Sequence, residues 1–522
     1  MKFRRFPKSG RRAPGNSAVR QVSPAERRFA FITIVAAFVI SRIAASSAGL
    51  RFRVPLDFHQ FLDTNILSSH LLQSIYYLHY QPPILNLALG IGVKLFPDSY
   101  PLLFKDIYAA IGLLLSFTLY ELLLRIGARP SISLLATLLF EIGPATLLFE
   151  NLYYDTYPTA ALLCFAAYFL NRFLSNGSRL VGVAFVIASG LLVFLNPSFQ
   201  IWWFIGVWTI LLIGAYDRMR PLVPAALSML ALILLLYIKN FLVFGVFATS
   251  SWSGLAFTAI TTNQLSLKER RELIDKGKLS VLALQPLFPP VHVPKSDLTG
   301  IAALDEEQKL TWIGYVPNGN TLEYIRMSRT RARDAVWVIL HRPAAYARGV
   351  WRATKYYLES GTADLQFLQR KAIERWCLFY EIYLNPEALQ ILSLDRRDDI
   401  VGLNLDQPGT GVPSTILMIA LPACFLYAAV IVVRAWMTRG LNDPRDVTLL
   451  FIAVAILYAT PLGTMVTFGE NNRYRFILDP LYVVLFGLLL SRIWDAAASR
   501  HQADDRANSS VEIRDESAQV GK

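Results

Sequence analysis

The sequence predicts an all-α polytopic membrane protein, a helical bundle of about ten to eleven membrane helices with one soluble insert. Of its 522 residues, 54% are hydrophobic and only 17% are charged, whereas a soluble domain carries about 25% charged residues. The apolar residues form blocks of roughly 20, each long enough as a helix to cross about 30 Å of hydrocarbon. One long polar region, 249–412, separates two groups of blocks.

The first apolar block, 29–48, ends in small residues, as a cleaved signal peptide does. Its 28-residue leader is long for such a peptide, and many blocks follow, so we expect an uncleaved first helix. The further blocks are 82–97, 102–124, 131–149, 158–174, 180–196, 199–215, 222–244, 413–433, 447–467 and 476–494.

Lys and Arg in the connectors predict the orientation, because they favour the cytoplasmic side. Nine of them, against one acid, precede residue 29, so we expect 1–28 to be a basic cytoplasmic segment. Placing the other basic connectors on the same side puts 49–81, 150–157, 245–412 and 468–475 on the outer face. Only block 82–97 breaks the alternation. It starts with Pro82-Pro83 and is interpreted as a partly inserted or re-entrant helix; alternatively, 125–129 lies outside despite its two arginines.

The resulting organisation places a multi-pass protein in a cell membrane. An N-terminal membrane module, 29–248, carries the outer loop 49–81; the extracytoplasmic insert 249–412 follows; membrane helices fill 413–495; and 496–522 is a polar cytoplasmic tail. The sequence predicts helices over 329–357 and 374–392, a loop over 285–320, and disorder over 500–522. The net charge is +13, and most of the basic residues lie beside apolar blocks. This position indicates that they set the membrane topology and contact lipid headgroups rather than bind nucleic acid.

The first outer loop is rich in ionisable side chains for a membrane boundary. Two carboxylates and three histidines occur there: Asp57, Asp63, His59, His70 and His79. A carboxylate in a cleft beside hydrocarbon can act as a general base, because desolvation raises its proton affinity. The alternative is a solvated loop in which Asp57 caps a short amphipathic helix. The His spacings of 11 and 9 residues match no compact metal site.

A second cluster, 468–476, precedes the last apolar block. Arg473 and Arg475 flank Tyr474 on the side that Lys and Arg normally avoid. Guanidinium groups suit bidentate phosphate recognition, which points to a lipid phosphate. The alternatives are binding of ordinary phospholipid or pairing with Glu470.

Two further clusters fall on the same face. The connector 150–157 contains Glu150, Tyr154 and Asp155, and Lys239 lies near the outer end of block 222–244. The tyrosines alone are typical of an interfacial belt, and Lys239 alone could snorkel. Together, the four clusters indicate a pocket that joins a lipid-borne phosphate to a polar acceptor.

In their order along the chain, these clusters resemble the GT-C superfamily of membrane glycosyltransferases, in particular bacterial relatives of protein O-mannosyltransferases and of the lipid A aminoarabinose transferase. The likeness rests on four features: an acidic first outer loop that closes on His79 to Pro83, the acidic and aromatic connector 150–157, the exit 239–254 into the insert, and the run from Glu470 to Phe476. It covers about 29–260 and 413–495, and the insert resembles no family that we can name.

The resemblance implies sugar transfer from a polyprenyl-phosphate donor to an unidentified acceptor in the cell envelope, usually with inversion. Asp57 or Asp63 would be the general base. The family often has paired acids at this position, whereas Phe58 follows Asp57, so the base stays open between the two. Arg473 and Arg475, with Lys239, would hold the donor phosphate, and His79 and Gln81 would line the pocket or order the loop. The other predicted substrate-binding residues are Glu150, Tyr154, Asp155 and Tyr474. No cofactor is required, although a divalent cation could share the arginines' role.

The main rival is a transporter or flippase for a polyprenyl-linked or other anionic lipid. That class predicts ionisable groups at mid-span and repeat symmetry. Blocks 158–174, 180–196 and 199–215 carry no acid, but Glu141 lies inside 131–149. A second rival is a membrane scaffold whose outer domain binds a partner; it needs neither the carboxylates nor the arginines.

Overall fold

The computed structural model describes residues 22–311, 314–363, 367–384 and 414–520. The basic segment 1–28 and the predicted helix 374–392 therefore lie partly outside the described residues. What is described is almost entirely α-helical; its strands form one antiparallel hairpin of β1 (Gln308–Thr311) and β2 (Gly314–Pro317).

The N-terminal module contains eleven of the described helices. They are α1 (Pro24–Ser47), α2 (Thr64–Ser69), α3 (Leu71–Tyr76), α4 (Pro83–Leu95), α5 (Tyr100–Arg125), α6 (Pro130–Glu141), α7 (Pro144–Glu150), α8 (Thr156–Asn176), α9 (Arg179–Leu195), α10 (Ile201–Met219) and α11 (Val223–Phe244). Local signals in the sequence explain several boundaries. Ser23 and Glu26 form a capping box at the start of α1, and Gly177 ends α8 in the left-handed conformation.

The insert and the C-terminal part contain the remaining helices. They are α12 (Ser253–Ile260), α13 (Leu267–Asp275), α14 (Ala302–Asp305), α15 (Leu322–His341), α16 (Pro343–Tyr357), α17 (Glu374–Leu384), α18 (Thr415–Arg439), α19 (Pro444–Pro461), α20 (Asn471–Phe476) and α21 (Asp479–Val520).

The structure supports an all-α polytopic membrane protein. Within the described residues, six helical segments are long and apolar enough to cross a membrane, one of them made of α10 and α11 in continuation. The pair α6–α7, bent by 55°, would be a seventh. The predicted total of about ten to eleven membrane helices stays a prediction, since α8 and α9 do not meet these criteria.

The basic connectors meet at one end of the bundle. Arg129 donates its backbone N–H to Ser491 Oγ (2.9 Å) and its Nε to Asp495 (2.6 Å), and Asn171 donates to Thr448 (3.1 Å). The loops 48–81, 151–155 and 467–476 and the insert contact one another at the opposite end, which we call the loop end. Which side of the membrane the loop end faces stays a prediction.

Helix α4 begins and ends at the loop end. The Tyr153 hydroxyl donates to the Leu85 carbonyl near the start of α4 (2.9 Å). At its other end, α4 is followed by α5, whose side chains Phe104 and Tyr108 also pack on Tyr153. Since α5 then runs to the connector end, where Gly127 approaches Arg445, α4 lies along the loop end without crossing the bundle.

In the insert, the helix predicted over 329–357 is present as α15 and α16, separated at Pro343. The prediction of a loop over 285–320 missed α14 and the β-hairpin. The prediction of disorder over 500–522 was wrong for most of its length, because α21 continues to Val520. That stretch is rich in Ala, Gln, Glu and Arg, which are good helix formers despite their polarity.

Candidate functional site

Three segments that are far apart in sequence meet at the loop end. The first outer loop joins the connector 151–155 through a short parallel bridge: Arg53 N–H donates to the Asn151 carbonyl (2.9 Å) and Tyr153 N–H donates to the Arg53 carbonyl (2.8 Å). The connector joins the C-terminal segment through Arg473, whose Nη1 lies 3.2 Å from Asp155 Oδ1. These contacts bring the two ends of the polypeptide to one place.

Arg473 is the most enclosed cation of this cluster. Its residue is 5% exposed, and its Nη2 lies 2.8 Å from Glu470. The guanidinium also lies over the Tyr154 ring, 4.6 Å from the centroid, where the ring face attracts a cation. Its buried Nε has no hydrogen-bond partner among the described residues.

Asp155 positions this guanidinium. Only 3% of Asp155 is exposed, and burial raises the pKa of its carboxyl to about 6, with Arg473 opposing the shift. A buried carboxylate needs such a counter-charge. Asp155 therefore holds the Arg473 guanidinium in place.

Asp57 is the carboxylate that shares this neighbourhood. Its Oδ2 lies 2.5 Å from Arg53 Nη2, and its side chain is 7% exposed. Its Oδ1 is buried without a hydrogen-bond partner among the described residues. The next residue, Phe58, packs edge-on against Tyr154 with ring centroids 5.8 Å apart. The Asp57 loop and the Arg473 guanidinium therefore contact the same tyrosine ring.

Asp63 has a structural task instead. Its Oδ1 accepts the Asn65 N–H (2.7 Å) and caps the N-terminus of α2. The alternative interpretation from sequence assigned a cap to Asp57; the structure gives the cap to Asp63. Of the two carboxylates left open as the general base, Asp57 has an oxygen without a hydrogen-bond partner among the described residues, and it precedes Phe58, which packs on Tyr154.

Lys309 of the β-hairpin holds the Asp57 loop from the insert side. Its Nζ donates to the carbonyls of Phe58 and Phe61 (2.7 Å to Phe61), and only 4% of the residue is exposed. Burial lowers the pKa of its amine to about 7, and Asp57 and Asp63 oppose that shift. Sequence reasoning missed this residue, because one Lys in a polar insert carries no pattern.

Replacing Lys309 by Met is expected to loosen the Asp57 loop. Two buried carbonyls would lose their donor, and a missing buried partner costs about 1–3 kcal/mol. We expect amide hydrogen exchange over 58–63 to accelerate by roughly tenfold or more, as measured by mass spectrometry in detergent. The exposed Lys276 of the insert is the control: K276M should leave that exchange unchanged, and unchanged exchange in K309M would contradict the assignment.

His79 anchors the first loop to the insert rather than lining a pocket. Its Nδ1 lies 2.8 Å from Ser251 Oγ and its Nε2 lies 2.8 Å from the Asn320 carbonyl, while its backbone N–H donates to Asn320 Oδ1 (3.0 Å). The side chain is fully buried, and burial lowers its pKa to about 3. Gln81, two residues on, is also buried.

The His79 environment predicts a pH dependence of stability. In the unfolded chain this histidine takes up a proton below pH 6.5, but in the folded protein only near pH 3. Because the unfolded state binds more protons in this range, the free energy of unfolding falls as the pH is lowered. The loss between pH 7 and 5 is about 2 kcal/mol. Unfolding in detergent at both values should show a smaller difference in His79→Gln than in the wild type; equal differences would contradict the assignment.

Two other predicted site residues have partners outside this cluster. Glu150 pairs with Arg42, Oε1 to Nε at 3.0 Å and Oε2 to Nη2 at 2.6 Å. Lys239 Nζ donates to the carbonyls of Tyr76 (3.0 Å) and Leu78 (2.9 Å).

Arg475 is turned to a different part of the chain from Arg473. Its guanidinium donates to the carbonyls of Tyr357 (3.1 Å) and Glu359 and to Asp479 (3.2 Å), so it fastens the end of α16 to the start of α21. Tyr474 stays in the cluster, with its hydroxyl 3.4 Å from Arg473 Nη2. The predicted arginine pair is thus a single arginine in the cluster.

The cluster of Asp57, Phe58, Tyr154, Asp155 and Arg473 is the candidate site of an all-α polytopic membrane protein. Among the residues that the structure describes, no group of three or more His, Cys, Asp or Glu is placed to hold a metal ion. Comparisons with models of protein families, with curated proteins and with solved structures found no match. We therefore infer a function from the residues of the cluster alone.

Proposed function

We propose that the protein is a membrane glycosyltransferase of the GT-C type, which moves a sugar from a polyprenyl-phosphate donor to an acceptor hydroxyl or amine. The observation that carries the proposal is the sharing of the Tyr154 ring by the Asp57 loop and the Arg473 guanidinium. Such a transfer needs a general base and a cation for the phosphate. Asp57 and Arg473 each have one polar atom without a hydrogen-bond partner in the part of the chain that the structure describes.

The proposed step displaces a phosphate from the sugar with inversion. The acceptor oxygen or nitrogen attacks the anomeric carbon while the bond from that carbon to the phosphate oxygen breaks, and the phosphate leaves with the electron pair. Asp57 takes the acceptor proton, which contributes roughly two to four powers of ten in rate. Arg473 donates to the departing phosphate, and a preorganised cation in a dry site lowers the barrier as that charge develops.

The supporting residues keep these two groups in place. Asp155 and Glu470 orient the guanidinium from two sides, and the half-buried Glu470 is the partner that a donor phosphate would displace. Lys309 fixes the backbone that follows Asp57, through the carbonyls of Phe58 and Phe61. Fixed geometry matters because misplacement by about 1 Å can cost roughly 100-fold in rate.

The test is release of radiolabelled sugar from polyprenyl-phosphate sugars by the purified protein. A panel of hexose, pentose and amino-sugar donors is supplied with membrane extract as the source of acceptor. We expect transfer with at least one donor, together with release of polyprenyl phosphate. Absence of turnover across the panel would count against the proposal.

A specific observation favours a second candidate, a transporter or flippase for an anionic lipid. Arg42 of α1 lies between Glu150 and Glu141, and both carboxylate oxygens of Glu141 are buried without a hydrogen-bond partner among the described residues. Ionisable groups inside a membrane bundle are typical of transport pathways. If this candidate is right, the protein in liposomes should move fluorescent polyprenyl phosphate between leaflets, and Glu141→Gln should abolish that movement. If the wild type moves no more lipid than empty liposomes, the candidate is excluded.

A further inference from the structure

A groove opens between α1 and α5 at the loop end, apart from the Tyr154 cluster. It encloses about 630 Å³ and is lined by both helices and by the start of the first loop. The size falls in the usual range of small-molecule sites, about 300–1,000 Å³. Both α1 and α5 are long and apolar enough to cross a membrane, so we expect lipid along the part of the groove that lies between them.

Most of the groove wall is apolar and faces outward. Val39 and Ile43 of α1 and Leu102 of α5 line it, and Ile43 is 61% exposed. Packed proteins contain few voids, because atoms that line an unfilled space lose dispersion contacts. The apolar wall of the groove is therefore complementary to a hydrocarbon chain.

Two basic side chains also line the groove. Arg51 follows α1 by a few residues, and Lys105 lies in the second turn of α5; both line the groove and are exposed. Lys105 makes no ion pair within the described part of the chain, and Arg51 donates only one of its terminal nitrogens, Nη1, to Ser46. The acids nearby are Glu150, which is paired with Arg42, and the exposed Asp106.

We infer that this groove binds an anionic phospholipid of the surrounding bilayer, with its phosphate between Arg51 and Lys105 and one acyl chain between α1 and α5. Charge complementarity selects the headgroup, because a lysine or arginine near a membrane surface attracts anionic lipid. The apolar wall selects a lipid over a free phosphate. The inference does not depend on the transferase proposal, since it concerns neither Asp57 nor Arg473.

The test measures binding of phosphatidylglycerol and phosphatidylcholine to the full chain by native mass spectrometry after detergent release. Arg51→Gln and Lys105→Gln should each weaken phosphatidylglycerol binding by about fivefold, and roughly 25-fold together. The matched control is Lys94→Gln at the end of α4, which removes an exposed charge outside the groove and should change little.

The acyl-chain half of the inference has its own variants. Ala109 lines the groove, whereas Leu114 of the same helix is 56% exposed outside it. Ala109→Trp should displace the lipid and Leu114→Trp should not, which controls for an added tryptophan. Equal binding of both phospholipids, equal effects of the groove and control variants, or preference for polyprenyl phosphate over phosphatidylglycerol would each overturn the inference.

Discussion

Asp57→Asn is expected to lower sugar transfer by about 10²–10⁴-fold, because it removes the proposed general base while keeping the size of the side chain. The loss should appear in kcat, with the KM for the donor little changed, since Asp57 acts on the acceptor. Radiolabelled transfer by the purified variant measures it. Thermal unfolding in detergent should accompany the assay, because Asp57 also pairs with Arg53.

The matched control is Asp63→Asn, six residues further on in the same loop. Asn caps a helix about as well as Asp, so the cap on α2 should survive and transfer should stay within a few-fold of the wild type. If D63N loses activity and D57N keeps it, the base assignment is reversed. If both keep activity, neither carboxylate is the base.

Arg473→Gln is expected to have the largest effect on stability. It leaves Asp155, which is 3% exposed, without its counter-charge, and breaking a buried ion pair by removing one partner costs about 3–5 kcal/mol. Transfer should also fall by about 100-fold or more, since a preorganised charge contact at the reacting centre is lost. Denaturant unfolding and the transfer assay measure the two effects.

The double variant Asp155→Asn with Arg473→Gln separates them. With both charges removed, no buried carboxylate is stranded, so the double variant should regain a large part of the stability that R473Q loses. It should regain no transfer, because the donor to the phosphate is still missing. Recovery of transfer together with stability would show that Arg473 is only a structural residue.

Much of the architecture could be predicted from sequence because the membrane constrains it. Apolar length and basic connectors indicated the helical class and which loops share an end of the bundle, and the contacts of Arg129 and Arg473 agree with that grouping. The doubtful segment 82–97 proved to be a helix that stays at the loop end. Two features of the sequence indicated this: the segment is short, and it begins with two prolines.

The details of the site were less predictable, because they depend on which buried groups find partners. Sequence could not distinguish Arg473 from Arg475, which are two residues apart but are turned to Asp155 and to the carbonyls of 357–359 respectively. It offered no pattern for Lys309 or for the partners of His79, since these contacts cross about 170 to 250 residues of chain. Long-range pairing of single polar residues leaves no local periodicity to recognise.

We propose that the Asp57 loop and Arg473 bind one donor phosphate beside the Tyr154 ring. An experimental structure of the protein with a bound polyprenyl monophosphate would show where the phosphate lies. We predict that the phosphate contacts the Arg473 guanidinium and that the sugar lies beside Asp57. A phosphate bound only in the α1–α5 groove, or at the connector end beside Arg129, would contradict the claim.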